Sequence, residues 1–491
     1  MDLGRKKTSI GGDAVRLTVS KVVTLGIGLV TSMLLSRFRT LEEYGTYSQM
    51  LLVINLVTSL LMLGLPSSIN YFIGRAETEE KKREFSSVYY SLTTLLSIII
   101  GIVMVLAIPI IELYFKNDLI SAFWYFLALY PWTTIVNASL ENVLVAYKKT
   151  RFLMAYRIIH SVAILSVLVF VQLLGYGFDS FLISYTVLSC LFAISVYVIS
   201  YRINGKLSFS LDKTLIKTIF VFSIPIGLSS VVGTLNAEID KLLIGYLMDT
   251  EQMAIYTNAA KELPLSIVAT SITAVLLPRM SKMLKDNKKA EALKLWGYAT
   301  ELAFIIICLI VSGVVVYAED VITILYSEKY LPGVNVFRIY TLNLLLRITY
   351  FGIILNASGE TKKIFWCSVL SLVLNTALNP LFYWMFGMIG PAIATFIAII
   401  VIQLLQLKMT TKVTDVGFVS VFPWRNIGKV LIINICFAGV FWGLKLLLPL
   451  EKYTGSIIES AILGAIWAVV YFFLMRKKIK ETWWMLNREG A

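Results

Sequence analysis

The stretch "LNAEIDKLLIGYLMD", Leu235–Asp249, places Glu238, Asp240 and Lys241 inside an otherwise apolar run. Upstream the run continues without a break to about residue 216, which makes it long enough to cross the ~30 Å of a bilayer core as a helix. Charges at that depth cost about 2.5–3.5 kcal/mol each on insertion scales. A helix of this kind must therefore turn its charged face to water or to partners of opposite sign. The rest of the chain has the same character. Of its 491 residues, 58% are hydrophobic and 15% charged, with mean hydropathy +0.80. Soluble domains carry about 25% charged residues. The class this implies is an all-α, polytopic membrane protein.

Fourteen apolar spans can be marked, near 15–38, 45–73, 85–113, 119–147, 152–174, 180–201, 216–248, 252–278, 295–317, 334–358, 364–386, 390–408, 427–448 and 456–475. The connections are short and leave no room for a folded soluble head. Thirty-two of the 44 Lys and Arg residues fall at the termini and in the even-numbered loops, and only five in the odd-numbered loops. By the positive-inside rule both termini are cytoplasmic. The net charge of +14 is thus a topology signal, and a nucleic-acid partner is not expected. The polar, basic start has no short apolar region with a cleavage site, so the first helix is expected to direct insertion. Cys190, Cys308, Cys367 and Cys436 all lie in apolar runs and read as small buried hydrophobes.

An offset of 212 residues relates Tyr44 to Tyr256, Pro66 to Pro278, Thr150 to Lys362 and Gly175 to Gly387. These landmarks suggest duplication of a six-helix unit. Because six is even, both copies enter the membrane in the same sense, a parallel repeat. The expected organisation is a lobe over 1–212, a second over 213–424, and an appended helix pair with a cytoplasmic tail over 425–491. Two such lobes suggest a transporter with a polar path near the midplane.

Helical spacing gathers the buried polar residues into stripes. Ser229, Gly233, Asn236 and Asp240 share one face of helix 7, which is expected to line water, and Glu238 and Lys241 are spaced to pair. Tyr340, Asn343, Arg347 and Tyr350 form a stripe on helix 10, and Thr134, Asn137 and Glu141 one on helix 4. Helix 1 offers Lys21, helix 5 Arg157 and His160, and helix 8 Asn258, Lys261 and Glu262. Each has a plainer reading. Lys21, Arg157, Arg338 and Lys445 lie close enough to helix ends to snorkel. Glu238–Lys241 can be a purely structural pair, and His160, the only histidine, a hydrogen-bonded core residue. Arg347, midway along its span with no acid nearby on its own helix, favours function. On depth and face, Lys241, Lys261, Arg347, Asn236, Asn343, Arg157 and Lys21 are the substrate-binding candidates. Asp240, Glu238, Glu262, Glu141 and His160 are the candidates for coupling to Na⁺ or H⁺. There is no Walker A pattern, no metal-ligand spacing and no nucleophile triad, so neither a cofactor nor enzymatic chemistry is expected.

Four segments carry a family resemblance: "SRFRTLEEYGTYSQM", "GLPSSINYFIGR", "EIDKLLIGYLMDTEQMAIYTNAAKELPL" and "NASGETKKIF…LNTALNPLFYWMFGMIGPAIAT". They resemble the polysaccharide-transporter branch of the MATE-like superfamily, the Wzx-type oligosaccharide-lipid flippases. The resemblance implies two six-helix lobes around a V-shaped, cation-lined cavity. It implies alternating access that carries undecaprenyl-diphosphate-linked glycans from the cytoplasmic to the outer leaflet for polysaccharide biosynthesis, alongside glycosyltransferases and a polymerase. Asp240, Tyr256 and Lys261 match the family's helix 7–8 pattern. The acids departing from a site for phosphates leave an alternative, a cation-coupled exporter of small amphiphiles on the same fold. A membrane-embedded glycosyltransferase would be expected to show a larger loop with clustered carboxylates.

The charge asymmetry yields a topological test. Single cysteines placed near Lys82, Lys149, Lys285 and Lys362 in a cysteine-free background are expected to resist impermeant thiol reagents in intact cells. Ready labelling at two or more of them overturns the fourteen-span layout.

Overall fold

A computed structural model describes residues 10–205, 207–448 and 455–489. Arg5, Lys6, Lys7, Lys206 and Lys452, part of the charge count above, lie outside these described residues, as do the chain ends. Among the described residues the structure is all helical. By compactness the chain divides into a unit ending at Ala254 and a unit beginning at Ile255, so the boundary falls within one short helix.

The first unit contains α1(Ile10–Phe38), α2(Leu41–Met62), α3(Leu65–Arg75), α4(Glu79–Leu106), α5(Ile108–Phe115), α6(Trp124–Ala146), α7(Thr150–Leu173), α8(Phe178–Asn204) and α9(Lys213–Leu247). Local sequence explains the starts. Thr40 and Glu43 form a reciprocal capping box on α2: Glu43 N donates to Thr40 Oγ1 at 3.1 Å, and Thr40 N donates to Glu43 Oε2 at 2.9 Å. Asp212 caps α9, accepting from Leu215 N at 2.8 Å. α1 packs on α7, α6 on α4 and α8, and α9 on α2 and α3. The span expected at 45–73 is broken, because Leu63 and Gly64 both adopt the left-handed conformation. The break lies against the backbone of Gly227 on α9, where a Cβ would collide with Leu63.

The second unit takes the rest of α10(Thr250–Ala259), then α11(Ser266–Lys285), α12(Lys289–Val316), α13(Ala318–Leu325), α14(Val334–Leu346), α15(Ile353–Ala357), α16(Thr361–Phe386), α17(Gly390–Thr414), α18(Trp424–Leu447) and α19(Ser456–Glu489). α12 is its centre and packs against α11, α14, α18 and α19. Trp296, Trp467, Phe304 and Tyr471 are among the side chains buried around it.

Among the described residues, eleven segments are long and apolar enough to cross a membrane, and one of them, Thr361–Thr414, consists of two helices, α16 and α17. That makes twelve continuous spans. The other two expected spans exist as interrupted helices, α10 with α11 and α14 with α15. The structure also repeats itself. A 28-residue helix, an 8-residue helix and a six-residue 3₁₀ turn occur at α4, α5 and 118–123, and again at α12, α13 and 328–333. Corresponding starts in this stretch are 210 residues apart, against 212 for α8 and α17. The single offset thus drifts by two residues along the duplication. The boundary that the repeat marks at 212/213 is a proposal about ancestry, distinct from the compact units, in which α9 goes with the first.

Lys445, which could have snorkelled, is instead held inside the second unit. It pairs with Asp320 of α13 and donates to Ser460 Oγ at 2.9 Å and Ser456 Oγ at 3.1 Å. Both serines donate in turn to Asp320 at 2.6 Å. Burial pushes the Asp320 carboxyl up, but the hydrogen bonds from Lys445, Ser456 and Ser460, with the charge of Lys445, outweigh it and hold it below its ordinary value. Arg338 is likewise tied to Glu319 at 3.1 Å.

A depressed carboxyl pKa contributes stability that is present above the unfolded value and lost as pH falls through the folded one. Asp320→Asn is expected to lower the thermal midpoint at neutral pH. The loss should be of order 3 kcal/mol, the lower end for a broken buried pair, since Lys445 keeps 20% of its side chain exposed. The wild type should lose more midpoint than the variant between about pH 5 and about pH 3. Equal acid slopes for the two proteins, read by thermal unfolding in detergent, would remove Asp320 from this account.

Candidate functional site

In the first unit, α1, α6 and α7 line a cavity of about 450 Å³. Its walls bring together Lys21, Asn137, Glu141, Tyr156, Arg157 and His160. α6 presents Asn137 and Glu141 four residues apart, and α7 presents Arg157 and His160 three apart, so each pair shares a helix face. Arg157 pairs with Glu141 through Nη2 and Oε2, and its Nη1 donates to Ser20 Oγ at 3.3 Å. Tyr156 OH donates to Asn137 Oδ1 at 3.0 Å. The His160 ring meets Phe192 edge-on at 4.6 Å, and among the described residues its Nε2 has no hydrogen-bond partner. Lys21 is exposed at the wall. Five residues placed on three helices by spacing alone are thus gathered in one polar pocket within apolar surroundings.

α9 carries the opening stretch. Lys241 Nζ donates to Glu238 Oε2 at 2.8 Å, the spacing-predicted pair. The polar stripe does not stay at the surface. Ser229 and Gly233 are exposed and Asn236 half-buried, but Asp240 is 2% exposed. Its Oδ1 accepts from Lys241 N at 2.9 Å. The expectation of a wholly water-lined face is corrected here, because α9 packs against α2 and α3 and its end turns into that contact.

In the second unit the charged candidates sit at the helix interruptions. The first lies between Ala259 and Ser266, around Lys261 and Glu262. Pro264 lacks an N–H and disfavours helix at Leu263 before it, so the helix that stops at Ala259 does not resume until Ser266. The second lies between Leu346 and Ile353 and begins at Arg347. The stripe expected to run on to Tyr350 therefore ends at Arg347. The freed carbonyl of Leu346 accepts from Gln403 Nε2, and Trp296 Nε1 donates to Thr349 Oγ1 at 2.8 Å. The two interruptions meet: Arg347 Nη2 lies 3.1 Å from Glu262 Oε1. The acid absent from Arg347's own helix is supplied by the neighbouring break. Arg347 keeps 47% of its side chain exposed and Glu262 22%. Tyr256 and Tyr340 meet edge-on at 6.5 Å beside them. Asn343, expected to touch substrate, is fully buried, and its amide makes no hydrogen bond among the described residues; in this structure it has no open surface from which to bind.

Sequence reasoning missed Gln403 and Thr349, which satisfy the broken backbone, and the buried pair Asn375 and Asn379 on α16. The signal for the asparagines was available as two amides four residues apart in an apolar run. Among the described residues no cluster of His, Cys, Asp and Glu is disposed to hold a metal.

Fold and site together define a polytopic membrane protein whose buried cations are each held near an acid or a helix break. A family model described as "Polysaccharide biosynthesis protein" matches residues 34–335. The chain belongs to that family. It is 26% identical over 156 residues to a probable lipid II flippase MurJ of Rickettsia prowazekii, covering 29% of this chain and 30% of that one. It is 21% identical over 246 residues to a probable low-salt glycan biosynthesis flippase Agl15 of Haloferax volcanii, covering 49% and 50%. The matched regions thus span half the length of these relatives or less. Among solved structures, a lipid II flippase MurJ in an inward closed conformation superposes with TM-score 0.75 at 18% identity, covering 94% of this chain and 99% of that one. An inward-facing multidrug-resistance MATE transporter gives TM-score 0.63 at 17% identity, covering 82% and 99%.

The pairings make a stability test. Arg347→Ala removes a cation that pairs with the Glu262 carboxylate, which is three-quarters buried. The variant is expected to lose about 1 kcal/mol, since Arg347 is half in solvent. Arg347→Ala with Glu262→Gln should recover most of it, as read by thermal unfolding. A double variant no better than the single one would mean that the pair is not coupled.

Proposed function

We propose that the chain is a flippase. It moves an oligosaccharide linked to a polyprenyl diphosphate from the cytoplasmic to the outer leaflet by alternating access, in a cell membrane with both termini cytoplasmic. Family membership and the MurJ-like fold support the class. The observation that carries the substrate is the placement of Lys261 and Arg347 at interrupted membrane helices. Irregular backbone at membrane depth is tolerated where it lines a cavity or is buried in protein, and such breaks accompany substrate sites in transporters. A diphosphate and its sugars need a wet, positive route, while the lipid tail can stay in hydrocarbon.

Three of the candidate cations are held against carboxylates: Arg157 by Glu141, Lys241 by Glu238, Arg347 by Glu262. In this reading the acids are placeholders. They keep the cations compensated in the empty carrier, and the more highly charged diphosphate displaces them. Arg contributes geometry as well as charge, since its fork matches phosphate oxygens where Lys is a point charge. Lys21, Arg157 and Lys241 supply the first unit's cations and Asn236 a neutral contact. The glycan's makers, glycosyltransferases and a polymerase, are the proposed functional partners.

The MATE-like fold supports a second reading, a cation-coupled exporter of small amphiphiles. The acids Asp240, Glu238, Glu262, Glu141 and His160 would then bind the coupling ion.

Reconstitution in liposomes separates the two. Transfer of a fluorescent lipid-diphosphate sugar between leaflets is expected in the wild type. Arg347→Ala should reduce it by roughly tenfold to a hundredfold, the range for one charge-assisted contact, and Arg347→Lys by less. Wild-type protein that moves no lipid-diphosphate sugar but expels an amphiphilic cation down a Na⁺ or H⁺ gradient, with Asp240→Asn abolishing the dependence, establishes the second reading.

A further inference from the structure

Glu301 lies on α12 with 1% of its surface exposed, and both its carboxylate oxygens are used. Oε1 pairs with Lys478 of α19 at 2.7 Å, and Oε2 accepts from Asn426 Nδ2 of α18 at 2.9 Å. One buried carboxylate therefore pins the start of α18 and the late part of α19 at the same level. Each pinned residue has exposed cations within one turn. On α18 these are Arg425 and Lys429, and on α19 Lys477 and Lys480. Beside Glu301 and Asn426 lies a cleft of about 310 Å³, whose walls include the exposed Lys294 and the half-buried Tyr298 of α12.

α19 itself is longer than a bilayer requires. At 34 residues it exceeds the roughly 20 that span the core. Its second half, from Phe473 on, is sharply two-sided. Met475, Lys478, Ile479, Thr482 and Leu486 turn inward, with Leu486 against the core of the unit. Phe473, Arg476, Lys480, Trp483, Trp484 and Arg488 are all exposed. The Arg488 guanidinium stands 5.3 Å over the Trp484 ring and that of Arg476 5.7 Å over Phe473. One acid, Glu481, interrupts this surface. Tryptophan prefers the headgroup level of a membrane, and clusters of Lys and Arg next to a span attract anionic lipid. Aromatic rings and cations together on the unpacked side of a helix that has just left the membrane match an anionic headgroup layer in both depth and charge.

The structure assigns this end of the second unit as a binding site for an anionic phospholipid. The headgroup phosphate sits among Arg425, Lys429, Lys477 and Lys480, and Trp483 and Trp484 rest at the level of the glycerol. Glu301 does not repel it, because Lys478 compensates that carboxylate. The lipid would hold α18 and α19 together from outside as Glu301 does from within. The orientation proposed above decides only which leaflet supplies the lipid; binding itself does not depend on it.

The test uses the full chain, purified in detergent and supplied with equal amounts of phosphatidylglycerol and phosphatidylcholine, with bound lipids counted by native mass spectrometry. The wild type is expected to retain phosphatidylglycerol preferentially, less so as salt rises from about 0.1 M to about 0.5 M. Replacing Arg425, Lys429, Lys477 and Lys480 by Gln should cut that preference about tenfold or more. Lys429→Arg with Lys477→Arg and Lys480→Arg should keep it. All four side chains are exposed, so an unchanged thermal midpoint certifies the Gln variant as folded. The proposal is overturned if the wild type shows no preference or if the folded Gln variant keeps it. It is equally overturned if neutralising Lys148, Lys149 and Arg151, in the first unit, abolishes the preference as completely.

Discussion

Hydrocarbon offers no hydrogen bonds, so every polar group within it must find a partner in the protein or reach water. Much of this structure follows from that constraint. It explains why the chain is helical, and why departures from helix come with compensation. Where α14 stops at Leu346, Gln403 reaches across to the freed carbonyl and Trp296 anchors Thr349. Where α2 stops at Leu63, the left-handed pair Leu63–Gly64 is seated against Gly227 of α9. Five carboxylates, Glu141, Glu238, Glu262, Asp320 and Glu301, follow the same rule, and each holds a cation.

The charge pairs divide into two kinds by exposure. Asp320 and Glu301 keep 8% and 2% of their side chains exposed and tie helices of the second unit to one another. The acids Glu141 and Glu262 keep 41% and 22% exposed and border open space. A pair of the first kind is an architectural clamp. In the proposed function it is a pair of the second kind that opens to an anionic headgroup. The 450 Å³ pocket of the first unit and the paired interruptions of the second are where such exchangeable pairs occur.

Much of this could be read from the sequence, for definite reasons. Apolar length gave the spans, and i,i+3 and i,i+4 spacing gave the Glu238–Lys241 pair and the grouping of Asn137 with Glu141 and of Arg157 with His160. Pairings between helices were out of reach, because spacing carries no information about a neighbour. Arg347 looked acid-free for that reason, and Lys445 looked like a snorkelling end. The interruptions were hidden too. Pro264 was a visible cue for one, but nothing local at Arg347 forbids helix, and that break is stabilised by Trp296 and Gln403 from elsewhere in the chain. Asp240 shows the converse failure: a polar stripe was taken to follow water along its whole length, whereas packing buries its end.

The Asp320 network has a bearing on how the protein is made. Its acid is on α13, while Lys445, Ser456 and Ser460 lie on the last two helices, more than a hundred residues further along. During synthesis the carboxylate is in place long before its partners exist. Until α18 and α19 arrive, Asp320 and Glu301 both lack the lysines that neutralise them, and the second unit cannot close dry around α12. A chain that stops early has two carboxylates without their lysines, the same groups that in the finished protein register that the last hairpin has docked.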